Sequence, residues 1–149
     1  MTIKRILVPT DFSEGSAAAL RYAMELASHF PATVRVLHIV EPRSADGQQT
    51  TVAKPKEMPR LSAARRQLRN AIPRIAGVRF GIDRDVRMGA TVDQIVQCAR
   101  EELADLIVMR CSHAATGTLR SECTVEQVAK RAPCPVVTLP IVSDAERRR

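Results

Sequence analysis

The chain has 149 residues, enough to bury one sizeable core and too few for two ordinary domains. Apolar residues make up 45% and charged residues 26%, which excludes wholesale disorder, and no apolar stretch approaches the roughly 20 residues needed to span a bilayer. Lys and Arg outnumber Asp and Glu by 23 to 16, a formal net charge of +7 that attracts anions without selecting one.

"IKRILVP" (3–9) and "TVRVLHIV" (33–40) are β-branched apolar runs of strand length. Between them, "SEGSAAALRYAMELASHF" places Leu20, Ala23, Met24 and Ala27 at helical spacing behind Ser13, a suitable N-cap. Together they predict one strand–helix–strand unit. "EPRSADGQQTTVAKPKEMP" follows, polar, rich in Thr, Pro and Gly, and without consistent period, so 42–60 reads as a long flexible surface loop. The only aromatics are Phe12, Phe30, Phe80 and Tyr22, so the core must be mostly aliphatic.

Leu61, Ala64, Leu68, Ile72 and Ile75 then share a helical face, and "VRFGIDRDVRMG" (78–89) predicts a third strand ending at a glycine. "ATVDQIVQCAREELA" repeats the helical signature through Val92, Ile95, Val96, Ala99 and Leu103. It leads into "DLIVM" (105–109), a continuous apolar run of the kind covered on both faces. "CTVEQVAKRA" gives a fourth helix stopped at Pro133, and "CPVVTLP" (134–140) a fifth strand. The domain is expected over 1–142, with 143–149 as a basic C-terminal tail.

Strands too apolar to face water, alternating with helices, imply an α/β fold with a mainly parallel sheet between helical layers. Such sheets bind ligands outside the C-terminal ends of their strands, where strand order reverses. Two stretches therefore merit attention: the turn "VPTDFS" after the first strand, and "MRCSHAATGTLRSECT" (109–124) after the fourth.

"ILVPTDFSEGSAAALRYAMELA", "LHIVEP", "GATVDQIVQCAREELADLIVM" and "VEQVAKRAPCPVVTLP", in this order and spacing, resemble the universal stress protein family over nearly the whole chain. The resemblance implies a single doubly wound, five-stranded parallel sheet of order 3-2-1-4-5 with helices on both faces, Rossmann-like and similar to adenine nucleotide alpha hydrolases. It also implies a cytoplasmic homodimer formed through the last strand, here Val136, Val137, Thr138 and Leu139. An apolar edge strand is a liability unless paired, so pairing with its twin is physically sensible; the alternative is an edge covered by the tail.

ATP-binding members carry, after the fourth strand, Gly, two residues, Gly, nine residues, Gly, then Ser or Thr. A backbone wrapping phosphate oxygens must approach closely and adopt positive φ, which glycine does without strain, and the hydroxyl residue opens a helix whose positive end attracts phosphate. Here Arg110 or Cys111 stands at the first glycine and His113 or Ala114 at the second, depending on register. Counting back from "APCPV", Glu122 stands at the third and Cys123 at the hydroxyl position, with Thr124 one residue further on. Gly117 lies off the motif, and a carboxylate at Glu122 would repel a triphosphate.

Other family positions survive. Asp11 matches an acidic residue near the ribose, Pro9 and Val40 match apolar positions around the base, and Met109 matches the residue before the first glycine. Each has a plainer reading: Asp11 as organiser of a strand-to-helix turn, the others as core or rim. The ordinary ATP mode is therefore expected to be lost or severely weakened, with no cofactor. The alternative is an ATP- or adenine-nucleotide-dependent switch in which Arg110 or Arg120 pairs directly with phosphate.

Arg65, Arg66 and Arg69 read as the solvated face of the second helix; without aromatic stacking residues or a reading motif, nucleic-acid or anion binding through this helix and the tail is a lesser alternative, and a further protein partner is left open. The N-terminus carries no cleavable apolar region, placing the chain in the cytoplasm, and no membrane partner is expected. The four cysteines lack the close pairing of a metal site and read as thiols, although Cys111, His113 and Cys123 offer a metal or redox alternative around one loop. No histidine, carboxylate and nucleophile form a catalytic pattern, so no enzyme is expected; His29 and His38 read as structural.

Overall fold

In the computed structural model, which describes residues 2–42, 56–72, 80–110 and 123–140, the aliphatic runs pair into one parallel sheet. Its strands are β1 (Arg5–Thr10), β2 (Thr33–Val40), β3 (Ile82–Met88), β4 (Leu106–Arg110) and β5 (Val136–Leu139), in the order β3-β2-β1-β4-β5. Val8 lies opposite Val36, Ile6 opposite Leu106, Val36 opposite Arg84 and Val108 opposite Val137. This is the expected doubly wound order, with β1 at the point where the direction of winding reverses.

Because successive strand residues face opposite sides, each strand feeds two cores. Ile6, Val8, Val34 and Val36 pack beneath α1 (Glu14–His29) and α2 (Met58–Ala71) through Ala19, Ala23, Ala27 and Leu68. Leu7, Leu37 and Ile107 point the other way, toward Ile95 and Ala99 of α3 (Thr91–Glu101) and Val128 of α4 (Thr124–Arg131). The small residues of α1 allow close approach to the sheet. Burial on both faces explains the unbroken apolar reading of "LIVM" in β4. The core is aliphatic as expected, and Tyr22 and Phe30 lie on the surface.

β3 is one edge, and its charged residues alternate with apolar ones. Arg35 on the neighbouring strand reaches Asp83 at 3.4 Å, Asp85 at 3.8 Å and Glu102 at 3.1 Å. Arg87 reaches Asp85 at 2.9 Å and Glu101 at 2.7 Å. Charges on an edge strand oppose unwanted pairing. β5 is the other edge, with Val136, Val137 and Leu139 half-buried and Thr138 exposed.

Two details depart from the sequence reading. α2 begins at Met58, inside the span expected as loop, because Pro59 is well suited to a first turn and Leu61 finds Val40 and Met88 to pack against. Leu103 is not on the apolar face of α3: the helix ends at Glu101, Leu103 adopts φ +51, and its side chain is 68% exposed. A left-handed residue after the last turn redirects the chain into β4. Ile75 and the first residues of the expected third strand, 78–79, lie outside the described residues, as do most of the 42–60 span and the tail.

Candidate functional site

The site expected at the reversal point is built first from the turn between β1 and α1. Ser13 caps α1, its Oγ accepting from the Ser16 N–H at 3.2 Å. Thr10 Oγ1 accepts from the Phe12 N–H at 3.1 Å and donates to Ser16 Oγ at 3.0 Å, while Ser16 Oγ donates to the Ser13 carbonyl at 2.9 Å. The turn is held in a conformation that L-residues seldom adopt, with Phe12 at φ +63. His38 secures it from β2: its Nδ1 lies 2.8 Å from the Thr10 carbonyl and its ring lies 4.3 Å, centroid to centroid, from that of Phe12. His38 is thus structural, as expected.

Asp11 sits at the exposed outer edge of this turn, with Oδ1 accepting from the Ser13 N–H at 3.0 Å. Partial burial acts to raise its carboxyl pKa, but hydrogen bonds from Ser13 and Ser16 prevail and hold it below the ordinary 3.8. The turn-organising role is therefore occupied. A second carboxylate oxygen leaves it able to face a ligand as well.

The opposite wall comes from β2 and the β3–α3 turn. The Gly89 N–H donates to the Val40 carbonyl at 3.1 Å, and Thr91 Oγ1 donates to Glu41 Oε1 at 2.6 Å. Gly89 has φ +146, and a β-carbon there would stand 2.8 Å from Gln94 Nε2. The position requires glycine. Val40, only 6% exposed, packs with Leu61, Ala64 and Met88; Met109, 7% exposed, packs in the α3–α4 core. Both are core side chains, while Pro9 is half-buried.

Arg110 closes β4 and leans over the first turn of α1. Its Cδ is 3.2 Å, and its Cγ 3.7 Å, from the place a β-carbon on Gly15 would take. Among the described residues it makes no hydrogen bond or ion pair, in contrast to Arg35 and Arg87. A half-buried guanidinium at the reversal point, beside a helix start, can meet an anion.

At the far side, Thr124 is the exposed first residue of α4 and Cys123 its N-cap, at φ −57 and ψ 140 with no side-chain cap hydrogen bond. Cys123 is disulfide-bonded, so the expectation of four thiols fails there in favour of the redox alternative, and a lowered thiol pKa at this helix start does not arise. Cys98 and Cys134 are free, and burial pushes the Cys98 thiol up to about 11. Cys111, His113, Ala114, Gly117, Arg120 and Glu122 lie outside the described residues. Among the described residues no His, Cys, Asp and Glu cluster could hold a metal ion, and no helix is long and apolar enough to cross a membrane.

The described residues fit only part of an adenine nucleotide. Asp11, the Arg110 guanidinium and the Thr124 hydroxyl are polar groups available to one. Among the described residues, positive φ occurs only at Phe12, Gly89 and Leu103, none of them on the flanks of the β4–α4 connection. Thr10, Ser16 and Gly89 shape the site and were not singled out in the sequence; the pairing of Ser13 with a hydroxyl three residues later was the available signal for the first two.

The model of the universal stress protein family matches residues 2–140. The chain is 28% identical over 141 residues to Universal stress protein MJ0531 of Methanocaldococcus jannaschii, covering 91% of this chain and 81% of that one. Among solved structures, universal stress protein UspA from Lactobacillus plantarum has a TM-score of 0.67 at 21% identity, covering 94% of this chain and 99% of its own. The universal stress protein from Archaeoglobus fulgidus in complex with dAMP gives 0.64 at 23%, covering 94% and 100%. At these identities the structural likeness speaks for the fold alone. The family match spans nearly the entire chain and coincides with a five-stranded sheet of order β3-β2-β1-β4-β5, and on that ground the chain belongs to the universal stress protein family.

Proposed function

We propose that this chain acts as a non-enzymatic, cytoplasmic stress-response protein that works as a homodimer and does not bind ATP in the family's ordinary mode. The observation that carries the reading is the N-cap of α4, where a disulfide-bonded cysteine stands at the family's hydroxyl position and itself offers phosphate no donor, leaving only the Thr124 hydroxyl one residue further on. Substitution of every motif glycine, with Glu122 at the third, supports it from the sequence. Edge strand β5, which among the described residues pairs with β4 alone, is the surface for the twin, through Val136, Val137, Thr138 and Leu139.

A second reading rests on Arg110. Its stem lies against the first turn of α1 and it makes no hydrogen bond or ion pair among the described residues, so a nucleotide with fewer phosphates than ATP has one cation to meet without the glycine loop. The Archaeoglobus fulgidus relative in complex with dAMP makes adenine monophosphates the first ligands to try.

Light scattering on size-fractionated protein tests the dimer. Wild type should run as a dimer and Thr138→Lys as a folded monomer; two identical masses would remove β5 from the interface. Extraction of nucleotide from freshly purified protein tests the rest, with none expected, while co-purified ATP would overturn the leading reading and co-purified monophosphate would favour the second.

A further inference from the structure

The outward face of α2 carries an uncompensated charge. Between Met58 and Ala71 stand Arg60, Arg65, Arg66 and Arg69, with no Asp or Glu. Leu61, Ala64 and Leu68 dock the helix on the sheet, which leaves Arg65, Arg66 and Arg69 exposed. None of these three makes a hydrogen bond or ion pair among the described residues. Elsewhere the arrangement differs: Arg35 and Arg87 are surrounded by carboxylates, and Arg131 reaches Asp93 at 2.7 Å.

Folding alone does not favour this pattern. Arg65 and Arg69 are neighbours at i, i+4, and Arg66 and Arg69 at i, i+3, spacings at which like charges destabilise a helix. Arg84 on edge strand β3 extends the row, its Nη2 3.4 Å from the carbonyl of Ile72 just past the end of α2. With a helical rise of about 1.5 Å per residue, the cations from Arg65 to that end span roughly 10 Å.

We infer that the Arg65–Arg66–Arg69 face of α2 is a docking surface for the phosphate backbone of double-stranded nucleic acid. The occupant follows from what the face holds and what it lacks. Its cations are all arginines, whose planar fork suits phosphate. The residues between them, Ser62, Gln67 and Asn70, are polar, and the helix's leucines are buried. A single strand would want an aromatic platform, which this helix lacks, and a protein interface would want an apolar core, for which the helix exposes one large apolar side chain, Met58 at its first turn. A duplex offers a dense row of phosphates and asks for cations alone, so binding is expected without sequence preference.

The test is fluorescence anisotropy of a labelled duplex DNA of random sequence against full-length wild type, the Arg65→Gln/Arg66→Gln/Arg69→Gln variant, and an Arg147→Gln/Arg148→Gln/Arg149→Gln variant. Glutamine keeps helix propensity, and matched thermal melts confirm that the fold is retained. With three phosphates neutralised, wild-type affinity should fall about 40-fold between about 50 and about 200 mM salt. The α2 variant should bind more weakly and lose most of that dependence, whereas the tail variant should keep it. An unchanged α2 variant, a loss confined to the tail variant, or equal binding of labelled polyglutamate would each overturn the assignment, the last in favour of an acidic protein partner.

Discussion

The aliphatic stem of Arg110 crosses over Gly15, its Cδ 3.2 Å from where a β-carbon on that glycine would stand. The contact joins the end of β4 to the first turn of α1, the two elements that flank the reversal point of the sheet. Its tightness leaves the sign of a Gly15→Ala change to the neighbour's freedom to move. Among the described residues no hydrogen bond or ion pair holds Arg110, so it should swing aside and the helix should gain. Gly15→Ala should raise unfolding free energy by about 0.5 kcal/mol, less than the full mid-helix gain of about 1 kcal/mol. Adding Arg110→Ala should increase the benefit; destabilisation by Gly15→Ala alone that Arg110→Ala relieves would show a rigid arginine, and destabilisation in both denaturant titrations would put the obstruction elsewhere.

Gly89 has no such freedom. Its φ of +146 strains any side chain, and the obstructing atom belongs to Gln94, which is buried. Gly89→Ala should destabilise by about 1–3 kcal/mol. The damage should reach the Val40 carbonyl that accepts from its N–H, visible as faster amide exchange at Gly89.

Asp11 makes the β1–α1 turn sensitive to acid. Its folded pKa lies below the ordinary 3.8, so its contribution is fully present above that value and is lost as pH falls through the folded pKa. Wild type should therefore exceed Asp11→Asn in denaturant midpoint at neutral pH, with the gap closing only below pH 3.8. The gap should be small, because the carboxylate is largely exposed. A gap that widened on acidification would reverse the assignment.

The cysteines should sort by chemistry. Cys98 is fully buried with its thiol pushed up to about 11, so iodoacetamide should leave it unmodified in the native protein near pH 8. Cys134, half-buried and raised less, should react slowly, and Cys123 only after reduction. Peptide mapping by mass spectrometry reads all three.

Much of this was legible in the sequence, and the exceptions share a cause. "LIVM" declares itself because burial on both faces demands unbroken aliphatics, and "TVRVLHIV" through its β-branched residues despite Arg35 and His38. The end of α3 did not, since Leu103 keeps helical spacing while its backbone turns left-handed, and spacing carries no φ. Phe12 escaped for the same reason. α2 was hidden at its start because Pro and Met beside a polar run read as loop until Leu61 has Met88 to pack against. At the candidate site, Asp11 was found with its turn-forming alternative intact, whereas Val40 and Met109, matched to a nucleotide's surroundings, are core side chains. The Arg110–Gly15 contact lies between residues 95 positions apart and needs the parallel crossover to exist at all.

The central claim is loss of the ordinary ATP mode, and calorimetric titration of ATP with Mg²⁺ into nucleotide-free protein tests it most directly, run beside an Ala114→Gly/Glu122→Gly/Cys123→Ser variant. Wild type should give no heat of binding, and the variant with its loop residues restored should bind saturably. Micromolar binding by wild type would contradict that claim and assign the grip on phosphate to other residues, Arg110 first among them.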